Sequence, residues 1–277
     1  MTTDSLNHAE AWGAVAPAWD AGAEANEGPT SDATARLVDR VAVRPGDRVL
    51  ELAAGPGSLG GLWAGLVGPT GTVVLSDIAP AMVEFAESRT RELGNVETAV
   101  IDASTIDAPD GSFDVVACRM GLMFTPDPAQ ALGEIHRVLR PGGRLGALTW
   151  GGIEQNPWMT CVGMAAMLSG IVAGPPPIGP GGIFSLADPD GLAALAAGAG
   201  FADVDVSTID VHFPAESIDA HIERVTSLAG PLAVALQAAS ADQYAAFHRT
   251  ASDLAAPYVT PAGLDIPGVA LLLTGRR

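Results

Sequence analysis

The feature that most constrains this chain is an apolar run that ends in glycines: Val49-Leu50-Glu51-Leu52-Ala53-Ala54-Gly55-Pro56-Gly57. A strand cannot continue through Gly-Pro-Gly, because proline donates no ladder hydrogen bond and glycine adds nothing to pack. The chain must turn there, and residues 57–66 read as a helix. The unit then repeats. Residues 71–76 form a second strand ending at Asp77, and residues 80–93 a helix with Met82, Phe85 and Ala86 on one side. Residues 96–101 form a third strand ending at Asp102, and residues 113–118 a fourth. A helix over 128–139 is stopped by Pro141-Gly142-Gly143, and residues 144–150 form a fifth strand. Strands alternating with helices demand a parallel sheet with right-handed crossovers. The expected fold is α/β: a Rossmann-like, seven-stranded, mostly parallel sheet with helices on both faces and helical cap insertions.

Upstream, residues 30–43 read as an amphipathic helix with Ser31 or Asp32 as its N-cap and Leu37, Val38 and Val41 on one face. After Trp150 the regular beat stops. Residues 151–184 are rich in Gly, Pro and Met; a helix returns at 188–200 and strands at 204–213 and 269–274, with helical pattern over 217–258. The chain of 277 residues is therefore expected to be one domain. Its core is 30–150, 185–213 and 263–277, its N-terminal lid 1–29, and its insertions 151–184 and 214–262. Such insertions would cap the sheet's C-terminal edge, where ligands bind in open α/β sheets.

Composition removes whole classes of function. All fourteen basic residues are Arg, so neither a lysine Schiff base nor a P-loop lysine is available. A formal charge of −18 repels phosphate backbones, which argues against nucleic acid and anionic membrane surfaces as partners. Two cysteines cannot build a disulfide framework and suit a reducing cytoplasm. No signal-peptide pattern opens the chain, and the apolar run 162–174 is too short to span a bilayer. A cytoplasmic location is expected. No grouping of His, Cys and acids has metal-ligand spacing, so no metal is expected.

Read together, residues 49–57 and the acids that end the next two strands resemble the class I S-adenosylmethionine-dependent methyltransferases, especially the ubiquinone/menaquinone-biosynthesis C-methyltransferase branch. The resemblance is close over residues 44–150 and holds only in layout elsewhere. Phe113-Asp114-Val115-Val116 leading into Arg119-Met120-Gly121-Leu122 matches the family's fourth strand and donor-side loop, and residues 138–145 match its helix-to-strand turn. The resemblance implies S-adenosyl-L-methionine as the methyl donor. It places Ala53, Gly55, Pro56 and Gly57 under the donor's methionine part, with Glu51 at its ammonium end. It places Asp77 on the ribose, with Ile78 and Met82 alongside, and Asp102-Ala103 at the adenine. Arg119, Met120 and Leu122 follow on the donor side, and Trp12 lies in the N-terminal segment that folds over the donor.

Gly55-x-Gly57-x-x-Gly60 also satisfies the dinucleotide fingerprint, with Asp77 twenty residues after Gly57. Against a nicotinamide stand the acid inside the first strand, Glu51, and the third strand-end carboxylate, Asp102. A protein of the same fold that binds the donor without transferring its methyl group is a further alternative, since donor residues serve both. On the acceptor side the expected partner is a small molecule. The pocket wall would include Met120, Met123, Phe124, Trp150, Trp158, Met159, Met164 and Met167, which suits an aromatic, quinone or polyketide-like acceptor. His212, closing the sixth strand, and His221, on the apolar face of a cap helix, are the candidate catalytic bases. The rival reading of the insertions is that they pair two subunits of a homodimer.

Overall fold

A computed structural model describes residues 3–175 and 179–277. Residues 1–2 of the expected lid and 176–178 of the first expected insertion lie outside the described residues. The strands are β1 (Arg48–Leu52), β2 (Thr72–Asp77), β3 (Val96–Val100), β4 (Phe113–Arg119), β5 (Leu139–Trp150), β6 (Ala202–Ala215), β7 (Val259–Thr260) and β8 (Gly263–Arg276). They form one sheet in the order β3-β2-β1-β4-β5-β8-β6, with β7 paired to β8. The pairs among β1 to β5 are parallel, while β8 runs antiparallel to both β5 and β6. The eighth strand is an addition to the expected seven. It is two residues long and pairs Val259 with Leu264 and Thr260 with Gly263, a hairpin whose tight turn uses Gly263 at φ +122°.

Among the described residues, the α-helices are α1 (Thr3–Ala21), α2 (Ala23–Val41), α3 (Gly60–Val67), α4 (Pro80–Thr90), α5 (Pro128–Val138), α6 (Pro157–Leu168), α7 (Pro189–Gly198), α8 (Ile218–Leu228), α9 (Gly230–Gln237) and α10 (Ala241–Ala255). β1, β2 and β4 are buried almost throughout, as strands covered on both faces must be. The helix expected from residue 30 begins instead at Ala23. Pro29 lies inside it, and the Ser31 hydroxyl donates to the Gly28 carbonyl rather than capping an end. A proline deletes one hydrogen bond, which a helix packed on β4, β5, β6 and β8 can bear. The expected lid–core boundary at residue 30 thus falls within α2.

No regular helix joins β3 to β4 among these elements. Instead α5 pins that connection. Arg137 donates to the carbonyls of Ile106 (2.7 Å) and Ala108 (2.8 Å), and the Glu134 carboxylate accepts the Ile106 N–H at 2.9 Å.

Beyond the Trp150–Ala270 pair, β6 and β8 continue together from Asp210–Val269 to Ala215–Leu264, so this ribbon projects past the end of β5. The cap grows on it: α6 follows β5, and α8 to α10 lie in the chain between β6 and β8. Trp158 of α6 stacks on Phe213 (4.2 Å between rings, 14°) and tilts against Trp150 (4.9 Å). Fully buried Asn156 locks this corner. Its amide donates to the carbonyls of Gly151, Gly152 and Val269, and its Oδ1 accepts the Trp158 Nε1–H and the Val269 N–H, both at 3.0 Å.

Candidate functional site

The strand order reverses between β1 and β4, which is where an open α/β sheet forms its ligand crevice. The loops after these strands meet closely. A β-carbon on Gly121 would lie 2.2 Å from the Ala53 β-carbon, so only glycine fits there. Ala53, Gly55 and Gly57 all take positive φ (+52°, +56°, +79°), bending the chain away from β1 toward α3. Asp77, at the end of β2, holds that turn. Its Oδ2 accepts the Gly55 N–H and its Oδ1 the Ala79 N–H, each at 3.0 Å. Burial pushes the Asp77 carboxyl up, and these backbone donors oppose it.

Glu51 is the buried acid of the site, 2% exposed. On β1 it pairs with Ala117 of β4, so Arg119, two residues further along β4, projects from the same sheet face. Glu51 Oε2 accepts the Trp63 Nε1–H of α3 at 3.0 Å. Burial raises its carboxyl to about 7, against the pull of the Arg119 guanidinium and the Trp63 hydrogen bond. Arg119 in turn forks onto Glu27 of α2, at 2.9 and 2.6 Å. Neither Trp63 nor Glu27 was expected at the site. A carboxylate inside a strand signals that some polar partner must exist. The sequence does not say that one comes from twelve residues downstream and the other acts through an arginine.

The remaining expected donor residues lie on the loops after β2, β3 and β4 and on α1 and α4. Asp102 Oδ1 accepts the Ser104 N–H at 2.9 Å, which leaves Asp102 and Ala103 half-buried on the loop after β3. Ile78 is half-buried, and Met82 is buried in a cluster with Ala16 and Ala79, against which Trp12, Val15, Trp19 and Phe85 pack. Trp12 meets Phe124 edge-on at 4.9 Å. Arg89 ties α1 to the glycine turn by pairing with Asp20 while donating to the Pro56 carbonyl at 3.0 Å. The Met120 N–H reaches the Leu148 carbonyl with Met120 at φ +58°, and Leu122 is buried in the short helical turn Leu122–Phe124.

The two candidate bases part company. On β6, Ile209, Val211 and Phe213 are buried, so His212 points to the opposite, exposed face, with Nδ1 3.1 Å from Asp265. This corrects the expectation that ending the strand on the ligand side would turn His212 toward a ligand: strand parity turns it outward. His221 is fully buried on α8, with Nε2 2.5 Å from the Trp158 carbonyl, so Nε2 carries the proton. Its Nδ1 has no hydrogen-bond partner, and burial holds the ring's pKa below the usual histidine value. Two surface cavities are lined by residues outside the loops that follow β1, β2 and β3. One of 440 Å³ between α2 and α3 is lined by Glu27, Thr34, Val38 and Leu62; one of 350 Å³ in the cap is lined by Asp219, Ile222, Leu236 and Tyr244.

Residues 50–147 match the family described as a methyltransferase domain. Over this stretch the chain is similar to methyltransferase domains. Over 106 residues the chain is 44% identical to the ubiquinone/menaquinone biosynthesis C-methyltransferase UbiE of Teredinibacter turnerae. The aligned stretch is 37% of this chain and 43% of that relative, so the likeness spans less than half the relative's length. Solved structures extend the likeness in fold. The YcgJ protein of Bacillus subtilis superposes with TM-score 0.57 at 21% identity, covering 88% of this chain and 97% of its own. The cyclase SpnF superposes at 0.53 with 22% identity, covering 89% and 80%. The Rossmann-like fold is therefore as expected. Its antiparallel β8, wedged between β5 and β6, separates it from the all-parallel 3-2-1-4-5-6 order of dinucleotide folds.

Proposed function

We propose that this protein transfers the methyl group of S-adenosylmethionine to a small, apolar acceptor held beneath the α6 and α8–α10 cap. The observation that carries the reading is Glu51: a buried carboxylate at the switch point, raised to about 7, whose ionised form a ligand's ammonium group would stabilise. Around it, the positive-φ turn from Ala53 to Gly57 lets a ligand approach the backbone closely. Asp77 offers a carboxylate for the ribose hydroxyls, and Asp102-Ala103 a polar edge for the adenine. Trp12, Ile78, Met82, Met120 and Leu122 supply apolar walls.

The donor's sulfonium carbon is already electrophilic, so the chain's own work is alignment. S-adenosylmethionine, when bound, would supply that methyl carbon and a sulfur able to take the bonding electron pair, while Glu51, Asp77 and the turn from Ala53 to Gly57 would hold it in place. Where the acceptor must lose a proton, His221 fits the role better than His212. Its Nδ1 lone pair is free, and burial keeps the ring neutral at pH 7. Stacked Trp158 and Phe213 beside it suit an aromatic or quinone-like acceptor.

One observation favours a second reading. The fold is shared with a cyclase, so a donor-binding protein that catalyses another reaction fits the same scaffold. A methyl-labelled donor incubated with phenols, quinones and polyketide-like aromatics separates the two. Label transferred to an acceptor supports methyl transfer. Tight donor binding without any transfer supports the second reading, and a nicotinamide retained through purification and detected by native mass spectrometry overturns both.

A further inference from the structure

We propose that Glu27 is a positioning residue for the donor's amino-acid end: by holding the Arg119 guanidinium away from Glu51, it keeps one anion and one cation separately available to a zwitterion. The proposal rests on the donor reading above. Glu51 and Arg119 project from the same face of adjacent strands, at diagonal positions. Left alone, a largely buried guanidinium and a fully buried carboxylate would pair with each other. That pair would consume both charges an incoming ammonium and carboxylate need. Glu27 prevents this by taking the guanidinium itself. Its two oxygens take one N–H from each terminal nitrogen of Arg119, at 2.9 and 2.6 Å. A guanidinium has five N–H donors, so three remain for a ligand carboxylate.

The charges on the page fit this division. Arg119 lowers the Glu51 pKa and Glu27 raises it, so all three groups act on one centre. With no lysine in the chain, Arg119 is the cation that acts on Glu51 there. A planar fork is also the geometry that recognises carboxylates in two-point fashion. The position of Glu27 adds a consequence. It lies on α2 just after the first turn, close behind α1, which ends at Ala21 and packs over Met82 and the glycine turn. The same ion pair therefore ties the helices over the donor to the end of β4.

Two ligands isolate the effect. S-adenosylhomocysteine keeps the amino-acid end, whereas 5′-methylthioadenosine lacks it. Calorimetric titration of Glu27→Gln should show at least a tenfold loss of S-adenosylhomocysteine affinity, with 5′-methylthioadenosine within about twofold of the wild type. Glu27→Asp, which keeps the charge on a shorter arm, should recover part of the loss. A charge-swapped Glu27→Arg, Arg119→Glu pair should restore the thermal midpoint but not S-adenosylhomocysteine binding. Equal losses for both ligands would reduce Glu27 to lid packing and overturn the proposal, as would unchanged affinity in Glu27→Gln. A wild-type protein that binds neither ligand would overturn the donor reading itself, and this proposal with it.

Discussion

In the donor loops the buried carboxylate of Asp77 is held by two backbone N–H groups from residues 55 and 79, whereas in the cap the buried imidazole of His221 is held by one carbonyl and leaves a ring nitrogen unpaired. The donor half is thus preorganised by the main chain, with side chains set by short turns after parallel strands. The cap half is set by side-chain packing between distant segments. Trp158 stacks on Phe213, and Asn156 bonds to Val269, 113 residues away. Buried polar atoms without a partner occur on both sides among the described residues, Trp19 Nε1 on α1 and His221 Nδ1 on α8, so the contrast lies in what holds each half in place. The difference predicts that the two halves respond separately to mutation.

The largest effect should fall on the cap. Trp158→Ala removes a 2%-exposed ring, its stack on Phe213 and its hydrogen bond to Asn156, and should cost about 3–5 kcal/mol of stability. If the halves are independent, S-adenosylhomocysteine affinity of the folded variant stays within about twofold in calorimetry. A donor loss as large as the stability loss would show that the halves are one unit.

Glu51 gives the next effect, and its sign differs. Its folded carboxyl is raised from 4.5 to about 7, so the protonated form contributes stability that is fully present below 4.5 and is lost as pH rises through 7. That loss is about 3 kcal/mol by linkage. Without donor, Glu51→Gln should therefore be more stable than the wild type at pH 8 and nearly equal to it at pH 4, read from thermal midpoints. Donor affinity should move the opposite way. An ammonium group needs the ionised carboxylate, so wild-type binding should weaken about tenfold per unit below pH 7, and Glu51→Gln should bind weakly at every pH. Parallel stability profiles for the two proteins would sink the assignment of a raised Glu51.

Asp77→Ala sharpens the contrast further. It should remove ribose contacts and also free the Gly55 and Ala79 N–H groups that brace the turn. At least a tenfold loss of donor affinity is expected, about 1.4 kcal/mol. Unchanged affinity in the folded variant would withdraw Asp77 from the site.

The same contrast explains what could be read without coordinates. The glycine turn, Asp77 and Asp102 lie at strand ends, where a local pattern of apolar run, acid and glycine has few physical solutions. Strand positions β1 to β5 followed from that beat. The start of α2 did not, because Pro29 followed by Thr30-Ser31-Asp32 mimics a helix start, and tertiary packing on the sheet carried the helix through it. His212 was misplaced because its position at the strand's end outweighed the alternation of Ile209, Val211 and Phe213 with polar residues, which already puts it on the exposed face. Glu27 lay in a segment with no strand to place it, and its partner is 92 residues away.

The smallest effect tests what the cap is for. Ile222 is buried on α8, next to His221, and lines the 350 Å³ cavity with Asp219, Leu236 and Tyr244. Replacing it with Trp would fill that cavity and press on α8 without touching the donor loops. If α8 carries His221 toward the acceptor, Ile222→Trp should change acceptor KM or selectivity while leaving donor affinity within about twofold, a difference of roughly 0.4 kcal/mol. The rival is that the cap helices pair two subunits through their exposed apolar residues, among them Val234 and Leu168. In that case the variant would shift the sedimentation coefficient and leave acceptor kinetics untouched. Measured together, sedimentation and acceptor kinetics decide between a lid that encloses a substrate and a surface that holds a partner subunit, because the first reading moves only the kinetics and the second only the oligomeric state.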